Sequence, residues 1–191
     1  MAIDMNRPVA PDPYSVLPPV PAFDLASDDF LHGQPLAPPQ TAAGGSVSPQ
    51  LSWSAVPDAA SYLLTCFDPD APREGGFWHW VVADIPPSVT SVVSGNATSM
   101  VRTLANRFLH TTSSIGVPES VDLPNGVGSY GYLGAAPPKG DRVHRYFFAV
   151  HALNVEHLEL PHGKRTAPAL VAATAVPFTI ARAVLMGTHK R

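Results

Sequence analysis

Twenty-two prolines spread over 191 residues constrain this chain more than any other feature. Proline has no amide N–H and a fixed φ, so it interrupts helices and is tolerated in sheets only at edges, first positions and bulges. At more than twice the usual share of about 5%, it leaves loops and extended segments as the main building material. The apolar content of 45% over this length suffices for one domain with a sizeable core, burying roughly 70% of the surface its unfolded form exposes. Charged residues, at 14%, fall well under the roughly 25% of an ordinary soluble domain.

The punctuation divides the chain. Residues 1–22 carry Pro8, Pro11, Pro13, Pro18, Pro19 and Pro21 and read as an extended arm lying on the body, with a single domain over 23–191. Phe23 and Leu25 alternate with Asp24 and Ala26, and Leu51 and Trp53 with Ser52 and Ser54, as in strands with one buried face. Residues 61–67 are rich in β-branched and aromatic types and stop at Asp68, because Pro69 breaks the ladder; this strand should be central. Residues 78–85 and 146–153 are apolar on both faces, as inner strands are. Between them, 88–131 is rich in Ser, Thr, Gly and Asn and predicts loops with one or two short edge strands. Residues 169–176 favour helix only weakly before Pro177. From Phe178 onward, Ala181, Val184, Leu185 and Thr188 recur at i, i+3, i+4 and i+7. With Gly187 and the basic His189, Lys190 and Arg191 they predict a helix covering one edge of the body.

Several function classes are set aside by composition. A net charge of −3 and a pI near 6.2 give no electrostatic footprint for nucleic acid. The one cysteine, Cys66, lies in an apolar run, so an intramolecular disulfide and thiolate metal clusters are excluded and a buried, inert thiol is expected. No stretch approaches the roughly 18 apolar residues of a membrane span, and residues 1–21 lack the apolar core of a signal peptide; a cytoplasmic location is expected. Gly126-Val127-Gly128-Ser129-Tyr130-Gly131 spells a dinucleotide fingerprint, but Ala135-Ala136-Pro137-Pro138 follows where the phosphate-binding helix would have to start.

Chemistry concentrates elsewhere. Asp68-Pro69-Asp70-Ala71-Pro72 is followed by Gly76-Phe77-Trp78-His79-Trp80, and a second histidine opens Val143-His144-Arg145-Tyr146. If the strands starting at the two histidines lie side by side, Asp68, Asp70, His79 and His144 could line one polar cavity rimmed by Phe77, Trp78 and Tyr146. Three readings are open: an anion pocket with imidazole and amide donors, a metal site of two imidazoles with one or two carboxylates, or turn caps and satisfied core histidines. His110, His151 and His157 fit no such cluster and read as structural or surface residues, and Lys139 and Arg142 could steer an acidic ligand to the mouth.

Four ordered motifs, Asp68-Pro69-Asp70-Ala71-Pro72, His79-Trp80-Val81-Val82-Ala83-Asp84-Ile85-Pro86, Gly134-Ala135-Ala136-Pro137-Pro138-Lys139-Gly140 and His144-Arg145-Tyr146, with Ser48-Pro49-Gln50-Leu51-Ser52-Trp53 upstream, make the chain resemble the phosphatidylethanolamine-binding proteins, in particular their bacterial Raf-kinase-inhibitor-like branch. The resemblance implies a mainly β fold, an antiparallel β-sandwich with a short C-terminal helical element. It also implies a strand-end pocket for the head group of a phospholipid or another small phosphorylated anion. Carried over by position, the pocket uses Asp68, His79, His144 and Tyr146, with Asp70 and Pro138 shaping its walls and Phe77, Trp78 and Ala136 at the rim. Ala136 stands where the family usually has glycine, adding a methyl group at the pocket floor, and Val47 replaces a common asparagine. No catalytic residue, metal or cofactor is expected. The alternative to head-group binding is inhibition of a kinase or protease through protein contacts, with a homodimer also compatible; a metal-dependent hydrolase ranks third. If protonated histidines hold the phosphate, binding should weaken as pH rises through the histidine range near 6.5.

Overall fold

The computed structural model describes Asp4 and residues 7–96 and 113–191. Its centre is an antiparallel sheet in which β3 (Ser61–Asp68) lies between β4 (Phe77–Ile85) and β7 (His144–Leu153), with β6 (Val121–Asp122) outside β4 and β8 (Thr179–His189) outside β7. A small second antiparallel sheet joins β1 (Leu25–Ala26), β2 (Leu51–Trp53) and β5 (Ser91–Val92). The residues alternate across β3, as strand geometry requires. Tyr62, Leu64 and Cys66 pack toward Leu51, Trp53 and Val92 of the small sheet. Leu63 joins Val81, Ala83 and Leu153 on the outer face, beneath Val171 and Ala175 of helix α1 (Pro168–Ala175). Both faces of β3 are thereby covered, which is why its sequence is apolar throughout.

The expectation for the two histidine strands needs correction. β4 and β7 are not neighbours; β3 runs between them and pairs with both. Its last residue, Asp68, is thus delivered between His79 and His144.

The predicted helix beyond Phe178 is also not formed. Residues 179–189 make the edge strand β8, paired with β7 from His144↔His189 to Leu153↔Thr179. The helical spacing of Ala181, Val184, Leu185 and Thr188 is coincidental, because the segment is apolar at both periods, and a long antiparallel ladder with β7 decides the matter. Gly187, read as a helix terminus, sits opposite Tyr146 in that ladder, where a Cβ would come within 2.5 Å of Leu36. The short helix is α1 instead, opened by a proline in its first turn, where the missing N–H is harmless.

The proline-rich arm crosses the outer face. Tyr14 packs against Phe147 and His151, with ring centroids 6.1 and 5.8 Å away, and the arm ends in a hydrogen bond from the Arg182 amide to the Pro21 carbonyl. In the glycine-rich loop, Asn125 accepts from the amides of Val127 and Ser129, closing a turn packed on Phe77, and no helix follows it.

Candidate functional site

A bulge builds the site. Cys66 pairs with Trp80 and Phe67 with Trp78, so His79 is an extra residue on β4 with no partner on β3. Bulges re-aim side chains, and here the consequence is that His79 and Trp80 both turn to the inner side, while Trp78 turns outward. The loop at Leu133 fixes the imidazole: the Leu133 amide donates to the His79 carbonyl, and His79 Nδ1 donates to the Leu133 carbonyl at 2.6 Å. The proton on Nδ1 leaves Nε2 as an acceptor in the neutral ring. Burial lowers the His79 pKa to about 4, against smaller opposing effects of Leu133 and Asp68, so the ring is neutral at pH 7. The ring meets Phe77 and Tyr146 edge-on, at centroid distances of 4.6 and 5.1 Å.

His144 is held in the opposite state. Its Nδ1 lies 2.7 Å from Asp68 Oδ2 and its Nε2 3.1 Å from Asp141 Oδ2, all three side chains being buried. Burial alone would lower its pKa, but the bonds and charges of the two carboxylates outweigh that and raise it. Arg7, from the arm, continues the chain with hydrogen bonds to both Asp141 oxygens, at 3.1 and 2.6 Å, and to the Asp70 carbonyl. The Asp141 carboxyl is held well below the usual range, chiefly by Arg7, with His144 and the Arg142 amide adding to it. The result is an alternating series, Asp68, His144, Asp141, Arg7, in which both His144 nitrogens are engaged and neither is free to reach a ligand.

The cavity at this strand end measures about 310 Å³. Asp68, His79, His144 and Tyr146 line it, with Phe77, Ala136 and Pro138. Tyr146 carries the most telling atom: its hydroxyl is buried and, among the described residues, finds no hydrogen-bond partner. Burial, reinforced by the charge of Asp68, raises its pKa, so it stays a protonated donor.

Two expected members lie elsewhere. Trp78, placed at the rim from sequence, points to the other side of the sheet and packs tilted against Phe67, with ring centroids 4.5 Å apart. Asp70 does not line the cavity, because β3 has ended at Asp68 and the period-two argument no longer applies. Its carboxylate receives a two-pronged bond from Arg145, Nε to Oδ2 at 2.7 Å and Nη2 to Oδ1 at 2.8 Å, while its amide caps Asp68 Oδ1. Three contributors were missed. Arg73 lines the mouth, with its guanidinium 5.2 Å above the Phe77 ring; its place directly after Pro72 was a usable signal. Asp141, three residues before His144, was another. Arg7 carried none, being 134 residues from Asp141.

The secondary charges and histidines are also placed. Lys139 is exposed, and Arg142 bonds the Arg7 carbonyl, helping to tie down the arm. His151 is buried, His157 is an exposed partner of Asp84, and His110 lies outside the described residues. Cys66 is buried and its thiol pushed up in pKa, first by burial and then by Asp68. Among the described residues, no group of three His, Cys, Asp or Glu side chains is arranged to hold a metal ion.

A β-sandwich with this cluster at one strand end defines a class, and sequence comparison agrees: the family model for phosphatidylethanolamine-binding proteins matches residues 26–190, and the chain belongs to that family. Among individual relatives it is similar to the UPF0098 proteins YbhB of Escherichia coli, 38% identical over 63% of this chain and 68% of the relative, and YbcL, 36% identical over 78% of each. The crystal structure of Escherichia coli YbcL, described as a new member of the mammalian family, superposes with a TM-score of 0.75 at 31% identity, covering 88% of this chain and 98% of that one. LppC of Mycobacterium tuberculosis, whose name marks it as a lipoprotein, is 32% identical over 76% of this chain and 63% of its own. Family membership supports a general ligand-binding or regulatory role.

Proposed function

We propose that the strand-end cavity binds a small phosphorylated anion of the head-group type, and that binding, not catalysis, is its task. The observation that carries this reading is the buried Tyr146 hydroxyl without a partner, beside the bare His79 Nε2 acceptor. A buried unsatisfied donor costs roughly 1–3 kcal/mol, a cost that a ligand oxygen would remove. Arg73 at the mouth supplies positive charge, and Asp68, with lone pairs to spare beyond its bonds to His144 and the Asp70 amide, offers a partner for a ligand amine.

The protonation states change the expected mechanism. His144 has no nitrogen to give, and His79 can accept but not donate through Nε2 while neutral. A phosphate oxygen therefore needs one proton between itself and His79. A phosphomonoester, whose second pKa is about 6, supplies that proton through its monoanion, roughly a tenth of the population at pH 7 and the larger part below pH 6. A phosphodiester does not, and must wait for His79 to take one from solvent. Binding is thus coupled to proton uptake, and a monoester is preferred over a diester at pH 7.

Calorimetry with phosphoethanolamine and with glycerophosphoethanolamine, at pH 5.5 and 7.5, on the wild type and His79→Ala, tests the reading. The expected result is saturable monoester binding that is lost in the variant, and diester binding that improves as pH falls. Flat affinity for both esters across this range refutes the proton coupling. No binding of either at any pH refutes the anion pocket and turns attention to a kinase or protease partner. A cytoplasmic location belongs to the same proposal. No helix among the described residues is long and apolar enough to cross a membrane, and cell fractionation is the direct check.

A further inference from the structure

The strand-end cavity has a roomier counterpart elsewhere in the molecule. This second cavity, of about 430 Å³, lies on the outer face of the large sheet, bordered by the arm, the strands and helix α1 and open at one side. Its walls are Tyr14 from the arm, Phe67 and Trp78 from β3 and β4, and the alanines Ala172 and Ala173 of the helix. The space exists because the helix presents methyl groups where leucines would have filled it. Among the described residues no charged side chain lines it; its polar groups are the Tyr14 phenol, whose oxygen lies 3.4 Å from Thr65 Oγ1, the Trp78 indole at the wall, and the ring of His151, which is 6% exposed.

The state of that ring follows from geometry. Arg182 Nε donates to His151 Nδ1 at 3.3 Å, so the proton of the neutral imidazole resides on Nε2. None of the described residues accepts from Nε2. Burial, and next the charge of Arg182, keep the ring uncharged, with its pKa lowered to about 3. Arg182 itself is sequestered, its guanidinium 5.6 Å from the Tyr14 ring centroid, so it offers the cavity no counter-charge for an anion.

We propose that this cavity is a second binding site, for an uncharged aromatic or short alkyl molecule carrying one hydrogen-bond acceptor, with His151 Nε2 as the donor that orients it. Ligand sites are typically apolar clefts of roughly 300–1,000 Å³ with a few placed polar groups, and an apolar cavity of roughly 150 Å³ already accepts benzene. A bicyclic ring with a carbonyl matches the size, the aromatic walls and the His151 donor. The site stands apart from the strand-end cavity, on the other face of the sheet, and owes nothing to the phosphate reading.

The test uses the full chain and two probes, 2-acetylnaphthalene and 2-ethylnaphthalene, which differ by the acceptor. Tryptophan indole resonances in ¹H–¹⁵N NMR report the location, since Trp78 lines the cavity while Trp53 and Trp80 belong to the inner core. The expected result is a saturable shift of Trp78 alone, with the ketone binding at least fivefold tighter than the hydrocarbon. Ala172→Phe, which fills the space, and Ala173→Leu, at its exposed lip, each abolish the shift, and His151→Phe removes the preference for the ketone. No Trp78 shift up to the solubility limit, or a shift retained in both filled variants, overturns the site. Equal affinity for the two probes in the wild type overturns the role of His151.

Discussion

Lowering the pH from 7 to 5 should cost this protein stability through His79 in particular, and the size of the effect follows from its burial. The side chain is 5% exposed and titrates near 4 in the folded state, against about 6.5 when unfolded. A histidine with a lowered folded pKa contributes fully above 6.5 and loses that contribution as pH falls toward 4, because only the unfolded chain takes up the proton in that window. Over two pH units the loss works out at about 2 kcal/mol. His151, lowered to about 3, adds a similar loss, while His144, raised by its carboxylates, acts in the opposite sense, its contribution being complete below 6.5 and lost at higher pH. The three are separated by difference. His79→Gln retains an amide donor for the Leu133 carbonyl and removes the titration. Urea unfolding of both proteins at pH 7 and pH 5 should show the wild type losing about 2 kcal/mol more than the variant between the two conditions. Equal losses, within about 0.5 kcal/mol, would mean that His79 is not held neutral by burial, and the proton-coupled account of phosphate binding would fall with it.

Tyr146→Phe removes a hydroxyl that is buried without a partner, so the free protein should keep or gain stability, by up to about 1 kcal/mol, while phosphoethanolamine affinity drops at least about tenfold, a cost of about 1.4 kcal/mol; thermal unfolding and calorimetry on one sample read both. Gly187→Ala distinguishes strand from helix at the C-terminus: the added methyl meets Leu36 and should destabilise by about 1–3 kcal/mol, whereas a helical Gly→Ala change would stabilise by about 0.5–1 kcal/mol. Arg7→Ala releases the arm from Asp141 and the Asp70 carbonyl; chymotrypsin should then cut near Tyr14 faster, with an unchanged cutting rate arguing that the arm is held by its apolar contacts alone.

The central strands were legible because each carries its own evidence: residues 61–68 are bounded by Pro69, and the apolar runs of β4 and β7 are long enough to need cover on both faces. The C-terminal segment was misread for the opposite reason. With apolar side chains at 180, 181 and 183–186 within Thr179–His189, the sequence satisfies a period of 3.6 and a period of 2 alike, and only the pairing with β7 breaks the tie. At the site, the residue types were readable and their electrical states were not. His79 and His144 look alike in sequence, yet one is neutral in an apolar setting and the other is clamped between two carboxylates.

The inventory is local: a β-rich chain punctuated by prolines, a carboxylate at the end of a central strand, two histidines at or near strand starts, and a tyrosine two residues after the second. Local rules suffice for these, since a strand's alternation and a proline's missing N–H act over a few residues. Who meets whom is settled by the folded arrangement. A one-residue bulge turned His79 inward and Trp78 outward, the end of β3 handed Asp70 to Arg145, and an arginine from the arm completed the charge series around His144. Those outcomes depend on strand order, register and long-range packing, which bring together groups that no local pattern relates.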